Sequence, residues 1–273
     1  MRAGILIIGN EVLDGHVMDT NSNWIENRLT AQSVMVHRLV AIRDEMDEIA
    51  KGLSFLRDTC DVIIVSGGLG PTHDDITLSA VASALGLPMV ENQQALAMVE
   101  SQYRLLHEHE IVGSPDITEP RRNMALLPEG GVPMKNRVGG APGVMIETEN
   151  QVIFCLPGVP AELKDIFSSS VEPWLEKNVT SKYVEKIVEF VWKDESEFAP
   201  HIETVMSRHK GVYIKSMPRK YGTTDVLRVW ISARGSQQGP LRELVEAAIA
   251  GLSKEVGREP REVDSHDNES RQL

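Results

Sequence analysis

The stretch 60–77, which reads CDVIIVSGGLGPTHDDIT, joins a short apolar run to a glycine-rich loop. Residues 62–65 have the length and the β-branched content of a buried strand. Two aspartates, Asp74 and Asp75, follow the loop and open a predicted helix. Glycines let backbone N–H groups approach an anion, and a helix N-terminus adds partial positive charge. The stretch therefore predicts a strand, a phosphate-binding loop and a helix, with the candidate contacts Gly67, Gly68, Gly70 and Thr72.

This loop differs from two well-known phosphate-binding loops. It has no lysine before its hydroxyl residue, which excludes a Walker A loop. His73 stands where a dinucleotide fingerprint needs its last glycine, which excludes that motif as well. Asp74 and Asp75 would repel a phosphate unless a divalent cation lay between them and the anion. Two interpretations stay open: the pair caps the helix, or it provides oxygen ligands to a divalent metal.

The composition is that of a globular protein with an unevenly distributed charge. Of the 273 residues, 41% are hydrophobic and 25% are charged, which is ordinary for a folded domain. No apolar run approaches the ~20 residues of a membrane-spanning helix, so we expect no membrane association. Residues 1–181 carry a net charge of −12, which argues against a nucleic-acid partner, because nucleic-acid binding needs dense positive charge. We expect Cys60 and Cys155 to be buried thiols of a cytoplasmic protein.

Strand-like and helix-like segments alternate along the first part of the chain. An apolar run at residues 4–8 precedes Glu11, which therefore lies where open α/β sheets bind ligands. Asp19 and Asn21 are residue types that cap a helix, and a helical pattern follows them. A second strand is predicted at residues 34–40, before another helical pattern. This alternation, in units of about 30 residues, predicts a parallel α/β sheet.

A second glycine-rich loop occupies residues 136–143. It leads into a predicted hairpin of strands 144–146 and 152–156, and then into a helix that begins near residue 160. A second loop beside a second helix N-terminus predicts a ligand with two phosphate-like groups or a large polar ring system. The candidate contacts in this part of the chain are Asn136, Gly140, Gly143, Gly158 and Pro160.

The pattern changes near residue 182, where a strand, a helix, two strands and a helix are predicted. We therefore expect an α/β domain at residues 1–178, a small α+β domain at 182–258 and a disordered tail at 259–273. Four basic residues of the small domain could form a strip, although such residues more often form a solvated face: Lys215, Arg219, Lys220 and Arg228.

Six motifs, taken together, resemble one known family. They are GNEVLDG at 9–15, DTN at 19–21, GGLGPTHDD at 67–75, RRNMALLPEG at 121–130, NRVGGAPGV at 136–144 and LPGVPAE at 156–162. This combination resembles the CinA amino-terminal domain, a member of the molybdopterin-binding superfamily of MogA, MoaB and gephyrin. The resemblance implies a three-layer α/β/α fold with a mostly parallel sheet. It also implies that Glu11 and Asp19 belong to the site, and that Arg121 or Arg122, of which we prefer Arg122, contacts a phosphate.

The resemblance further implies a metal-dependent pyrophosphatase that acts on ADP-ribose or a related dinucleotide. A divalent cation (Mg²⁺, Mn²⁺ or Co²⁺) would be held by Asp74 or Asp75, and Glu11 is a further candidate for the catalytic site. The alternative is a protein that binds molybdopterin in molybdenum cofactor biosynthesis, and a non-catalytic interaction protein is a third possibility. Such domains often self-associate, so we expect a homo-oligomer. The second domain is similar to the KH-type insert of some CinA proteins but has no G-x-x-G loop. We expect no carboxy-terminal nicotinamide mononucleotide deamidase domain.

Overall fold

The computed structural model describes residues 1–217 and 225–263. The chain divides into two compact units, of which the first comprises Met1–Val179 and the second begins at Thr180. Across the described residues, no helix combines the length and the apolar character that crossing a membrane requires.

The first unit contains a six-stranded sheet and a two-stranded ribbon. Its strands are β1 (Arg2–Ile8), β2 (Met35–Ile42), β3 (Val62–Ser66), β4 (Met89–Glu91), β5 (Leu126–Pro128), β6 (Val132–Met134), β7 (Gly143–Glu147) and β8 (Val152–Leu156). The sheet has the order β2-β1-β3-β8-β7-β6, and β4 pairs with β5. Strands β2, β1, β3 and β8 pair in parallel, whereas β7 pairs antiparallel with β8 on one side and with β6 on the other. The prediction of a mostly parallel sheet is confirmed.

The helices of the first unit connect these strands. They are α1 (Asn10–Leu13), α2 (Asn21–Ala31), α3 (Met46–Arg57), α4 (Thr77–Leu85), α5 (Gln93–Glu108), α6 (Glu119–Asn123), α7 (Pro160–Ile166) and α8 (Glu172–Asn178). A π-helical turn, Phe167–Val171, joins α7 to α8.

Successive side chains of the central strands point into two separate cores. On β1, Leu6 packs in one core with Leu53 of α3, whereas Ile5 packs in the other core with Ile25 and Leu29 of α2. All five side chains are fully buried. Because both faces of these strands are covered by helices, the strands read as continuous apolar runs without polar alternation. The three-layer α/β/α architecture is confirmed.

The two cysteines lie inside this unit. Cys60 and Cys155 are both free and buried, as predicted. Burial raises the pKa of the Cys155 thiol to about 12, because an apolar environment disfavours the thiolate.

The second unit is a four-stranded antiparallel sheet with two helices. Its elements are β9 (Lys182–Val191), α9 (Glu195–Arg208), β10 (Val212–Met217), β11 (Val226–Gly235), α10 (Gln238–Val256) and β12 (Arg261–Val263). The strand order is β10-β11-β9-β12. Residues of both helices and of the first three strands share one hydrophobic core. The expected small α+β domain is confirmed.

Two expectations about the second unit were wrong in part. Residues 261–263 were expected in a disordered tail, but they form β12, which pairs with the edge of β9 and so satisfies backbone hydrogen-bonding groups there. Arg228 was considered for an exposed basic strip. Its side chain is buried, with Nε 2.8 Å from Oε1 of Glu189. Two further residues of that strip, Arg219 and Lys220, and residues 264–273 lie outside the described residues.

Candidate functional site

A cleft of about 550 Å³ opens where the parallel strands of the first unit end. The chain after β1, β3 and β8 contributes to its wall, as expected for ligand sites at the carboxyl ends of parallel strands. The lining residues are Ile8, Gly9, Glu11, Asp44, Gly67, Gly68, Leu69, Gly70, Pro71, Asp74, Asp75, Tyr103, Met124, Gly140, Ala141, Pro157, Gly158, Val159 and Glu162.

Two glycines of the loop after β3 adopt conformations that other residues rarely adopt. Gly67 has a φ of +116° and Gly68 a φ of +65°. A Cβ atom on Gly67 would overlap the carbonyl oxygen of Ile8, and one on Gly68 would overlap Oγ1 of Thr77. The conformation that brings the backbone of this loop to the cleft therefore requires glycine at both positions.

The acidic pair does not cap the following helix. Helix α4 begins at Thr77, and its N-cap, Ile76, makes no side-chain capping bond. Instead, Oγ1 of Thr72 lies 2.5 Å from Oδ1 of Asp74 and 2.6 Å from Oδ2 of Asp75. The backbone N–H of Thr72 donates to the same oxygen of Asp75 across 2.8 Å. Thr72 thus holds both carboxylates, although it does not itself line the cleft, and the capping interpretation was wrong.

Three further carboxylates line the same cleft. They belong to Glu11, Asp44 and Glu162. Oδ2 of Asp44 accepts a hydrogen bond from the backbone N–H of Asn10 across 2.8 Å, which fixes it beside the strand end. Among the described residues that line the cleft, none is lysine, arginine or histidine. The cleft therefore combines five carboxylates with exposed glycine backbone.

The carboxylates experience two different environments. The hydrogen bond from Thr72 lowers the pKa of Asp74, so this side chain is ionised at neutral pH. Burial raises the pKa of Glu162, although the hydrogen bond from Asn136 partly opposes that effect. One cleft thus contains both a strongly ionised carboxylate and one that holds a proton more readily.

The structure brings eight of the predicted site residues to the cleft. These are Glu11, Gly67, Gly68, Gly70, Asp74, Asp75, Gly140 and Gly158. Four other predicted residues support it from nearby positions. Thr72 holds the acidic pair, Asn21 donates to the carbonyl oxygen of Gly158 across 2.7 Å, Asn136 bonds Glu162, and Pro160 begins α7.

Three predicted contacts lie elsewhere. Asp19 accepts a hydrogen bond from the backbone N–H of Ser22 across 2.9 Å and so helps to begin α2. Gly143 is the first residue of β7. Arg122 donates two hydrogen bonds to Glu91, 2.5 and 3.1 Å long. None of the three lines the cleft.

Three lining residues with polar side chains were not predicted from the sequence. Glu162 stands in the motif LPGVPAE, which was noted as a whole, and Asp44 follows the end of β2. Tyr103 lies in the middle of α5, where no pattern marked it. The guanidinium of Arg121 stacks on its ring, 3.9 Å from the centroid. Arg121, the other arginine that was considered for a phosphate contact, therefore lies behind Tyr103 of the cleft wall.

The acidic pair provides only part of the ligand set that a cation needs. No group of three or more acids, histidines or cysteines among the described residues could hold a metal ion alone. Oδ2 of Asp74 and Oδ1 of Asp75 are the oxygens that Thr72 does not engage. Mg²⁺ commonly uses one or two carboxylates, several waters and the phosphates of its substrate. The pair suits that kind of binding better than a closed structural site.

Comparisons with known proteins agree with this fold. A family profile described as a probable molybdopterin binding domain matches residues 4–177. A protein of Pyrobaculum arsenaticum is 37% identical over 263 residues, which cover 94% of this chain and 97% of that protein. Protein TK1472 of Thermococcus kodakarensis is 36% identical over 249 residues, with coverages of 90% and 95%. Both alignments span most of each chain.

A solved structure is also similar to this chain. The crystal structure of the protein CinA, of unknown function, from Thermoplasma acidophilum is 32% identical to this chain, with a TM-score of 0.57. The alignment covers 63% of this chain and 96% of the CinA chain. The chain therefore belongs to the family of probable molybdopterin binding domains and is CinA-like.

Proposed function

We propose that the cleft binds a divalent cation together with a nucleoside diphosphate compound and hydrolyses its pyrophosphate bond, with ADP-ribose as the representative substrate. The observation that carries this proposal is the wall of five carboxylates without a basic side chain among the described lining residues. Such a wall repels a phosphate by itself. A bound divalent cation reverses the sign of that interaction, so the site's chemistry favours a metal-dependent reaction.

Different residues of the cleft would bind the cation, the phosphate and the water. Asp74 and Asp75 would hold Mg²⁺, Mn²⁺ or Co²⁺, and backbone N–H groups of the loop from Gly67 to Gly70 would orient a phosphate. A bound cation would neutralise developing charge and polarise a water molecule. Glu11, which follows β1, lies in the same wall and would bind a water molecule or the cation.

The test is the release of AMP from ADP-ribose by the purified chain, with each of the three cations and with a chelator. We expect metal-dependent release in the wild type and none in Asp74→Asn or Asp75→Asn, both measured on folded protein. Asp47→Asn is the matched control, because Asp47 is exposed in the first turn of α3 and does not line the cleft. Turnover that survives the chelator, or persists in both cleft variants, would contradict the proposal.

A second candidate function is binding of molybdopterin, which carries a phosphate of its own. The family match over residues 4–177 favours it, since this range includes every segment that lines the cleft. The glycine loop would then hold the pterin phosphate, and the acidic pair would hold a metal that is delivered to the pterin. Direct titration with molybdopterin distinguishes the two candidates. Saturable binding without any release of AMP from ADP-ribose would favour this second function.

A further inference from the structure

We propose that Glu162 is the catalytic base of the cleft, the group that takes the proton from the attacking water. This inference rests on the proposed pyrophosphatase function and assigns a role that its metal-binding acids do not fill. Glu162 lies in the first turn of α7, directly after β8, and its side chain lines the cleft. It can therefore contact the reacting groups of a bound substrate.

A buried amide holds the Glu162 carboxylate in place. Asn136 is only 5% exposed, and its Nδ2 donates to Oε2 of Glu162 across 2.6 Å and to the carbonyl oxygen of Ala141 across 2.8 Å. Its Oδ1 accepts hydrogen bonds from the backbone N–H groups of Val138 and Gly139. Both ends of the amide are thus engaged, so the orientation of Asn136 is fixed and the carboxylate is fixed with it.

The loop that follows Asn136 packs directly on this carboxylate. A Cβ atom on Gly139 would overlap the carboxyl group of Glu162, so only glycine allows such a close approach. Backbone therefore covers one side of the carboxylate and removes water from it. Oε1 is the oxygen that Asn136 does not engage. A half-buried carboxylate with one oxygen held and one available suits proton transfer better than chelation of a metal.

The other acids of the cleft suit a different role. Thr72 holds Asp74 and Asp75 together and lowers the pKa of Asp74, which makes that group a poor proton acceptor and a good ligand for a cation. Burial changes the pKa of Glu162 in the opposite direction. Carboxyl groups whose pKa values are separated by their environments commonly divide catalytic roles in this way.

The proposed reaction is hydrolysis of the pyrophosphate bond. The oxygen of a water molecule attacks one phosphorus atom of ADP-ribose, and the bond from that phosphorus to the bridging oxygen breaks. The bonding electron pair stays on the leaving phosphate. One proton of the water passes to Glu162 and from there to solvent or to a product, while the other stays with the new phosphate oxygen or is lost to solvent. The products are AMP and ribose 5-phosphate.

The experiment compares Glu162→Gln with the wild type. We expect kcat for AMP release to fall by about 100-fold or more, the usual contribution of a general base. KM and the affinity for Mn²⁺, measured by titration of the metal alone, should stay within about twofold. The rise of kcat with pH on the acidic side should disappear. Glu149→Gln is the matched control, because Glu149 is exposed in the turn between β7 and β8 and lies outside the cleft.

Two results would overturn the assignment. One is a kcat of Glu162→Gln within about threefold of the wild type, a loss too small for a general base. The other is a parallel loss of Mn²⁺ affinity, which would make Glu162 a metal ligand instead. A wild-type chain that releases no AMP with any cation overturns the proposed function itself, and this inference with it.

If Glu162→Gln fails to fold, Glu162→Asp provides the readout. This variant should retain the rise of kcat with pH on the acidic side, at a reduced kcat, and a flat pH profile would contradict the role of Glu162.

Discussion

The side-chain amide of Asn21 donates a hydrogen bond to the carbonyl oxygen of Gly158 across 2.7 Å. The same Nδ2 atom lies 3.3 Å from Oγ of Ser66, at the end of β3. Asn21 therefore joins the segment after β8 to the strand that leads into the glycine loop. Its Oδ1 is buried and has no hydrogen-bond partner within residues 1–217 and 225–263. One side chain at the start of α2 thus fixes two walls of the cleft.

We expect Asn21→Ala to destabilise the first unit by about 1–2 kcal/mol, because two hydrogen bonds are lost and a buried hydroxyl loses its donor. The KM for a phosphate ligand should rise as well, since the two walls are no longer joined. Urea unfolding and substrate titration provide the measurements. Asn23→Ala is the control, because Asn23 is exposed and its Oδ1 accepts a hydrogen bond from Asn27 of the same helix. Equal stability of the two variants would contradict the linking role.

The backbone of the glycine loop leads to a second prediction. Gly68→Ala should destabilise the fold by about 1–3 kcal/mol, the cost of forcing a side chain into a left-handed conformation. Its Cβ atom would also overlap Oγ1 of Thr77. Gly86→Ala is a matched control: Gly86 has a φ of +69°, but a Cβ atom there would meet nothing within 4 Å. The loss of unfolding free energy should be larger for Gly68→Ala, and equal losses would show that the overlap is relieved at no cost.

The direction of that Cβ atom illustrates what the sequence could and could not predict. The glycine-rich pattern correctly marked a loop at the cleft, because glycine and a preceding apolar strand are local signals. A Cβ atom at Gly68 would point at Thr77, a direction that the glycine-rich pattern does not indicate. That contact depends on how the loop folds back onto α4, and no spacing rule contains this information.

Local signals marked other elements of the fold, whereas contacts between distant segments left no such signal. Strands β1, β3 and β8 were predictable because burial on both faces produces continuous apolar runs. The link between Asn136 and Glu162 joins residues 26 positions apart on different elements, and strand β12 depends on pairing with a distant edge. Arg122 has the right charge for a phosphate contact, but its partner, Glu91, lies on β4. The residue types indicated which side chains could form polar contacts, but the tertiary structure decided which partner each side chain has.

Thr72 provides a third prediction, because one hydroxyl lies within hydrogen-bond distance of both aspartates. Thr72→Val keeps the shape of the side chain and removes that hydroxyl. We expect the affinity for Mn²⁺ to fall by about 10–100-fold, the usual effect of losing a group that orients metal ligands. The pKa of Asp74 should rise towards its ordinary value, which can be followed by NMR. Thr72→Ser should preserve both properties.

The control for this prediction is Thr118→Val. Thr118 is exposed, and it precedes α6 without a side-chain capping bond. That variant should bind Mn²⁺ as the wild type does. If Thr72→Val also bound Mn²⁺ normally, the two aspartates would not depend on Thr72 for their orientation, or would not be metal ligands.

The fourth prediction concerns the free energy of unfolding and its dependence on pH. Burial raises the pKa of Glu162 in the folded state above its ordinary value of 4.5. The folded chain therefore binds this proton more tightly than the unfolded chain does. The stabilising contribution of the protonated group is fully present below pH 4.5 and is lost as the pH rises through the folded-state pKa. Above the folded-state pKa the carboxylate is ionised in both states, and its partial burial reduces stability.

Glu162→Gln should consequently be more stable than the wild type at pH 7, because glutamine occupies the same place without a charge to desolvate. The difference should shrink as the pH is lowered to about 4, where the wild-type carboxyl is largely protonated. Urea unfolding midpoints at both pH values measure this, with Glu149→Gln as the exposed control. A variant that is less stable at pH 7 would mean that the bond from Asn136 outweighs the burial. Greater stability combined with loss of turnover would identify Glu162 as a residue whose charge is retained for function at a cost to the fold.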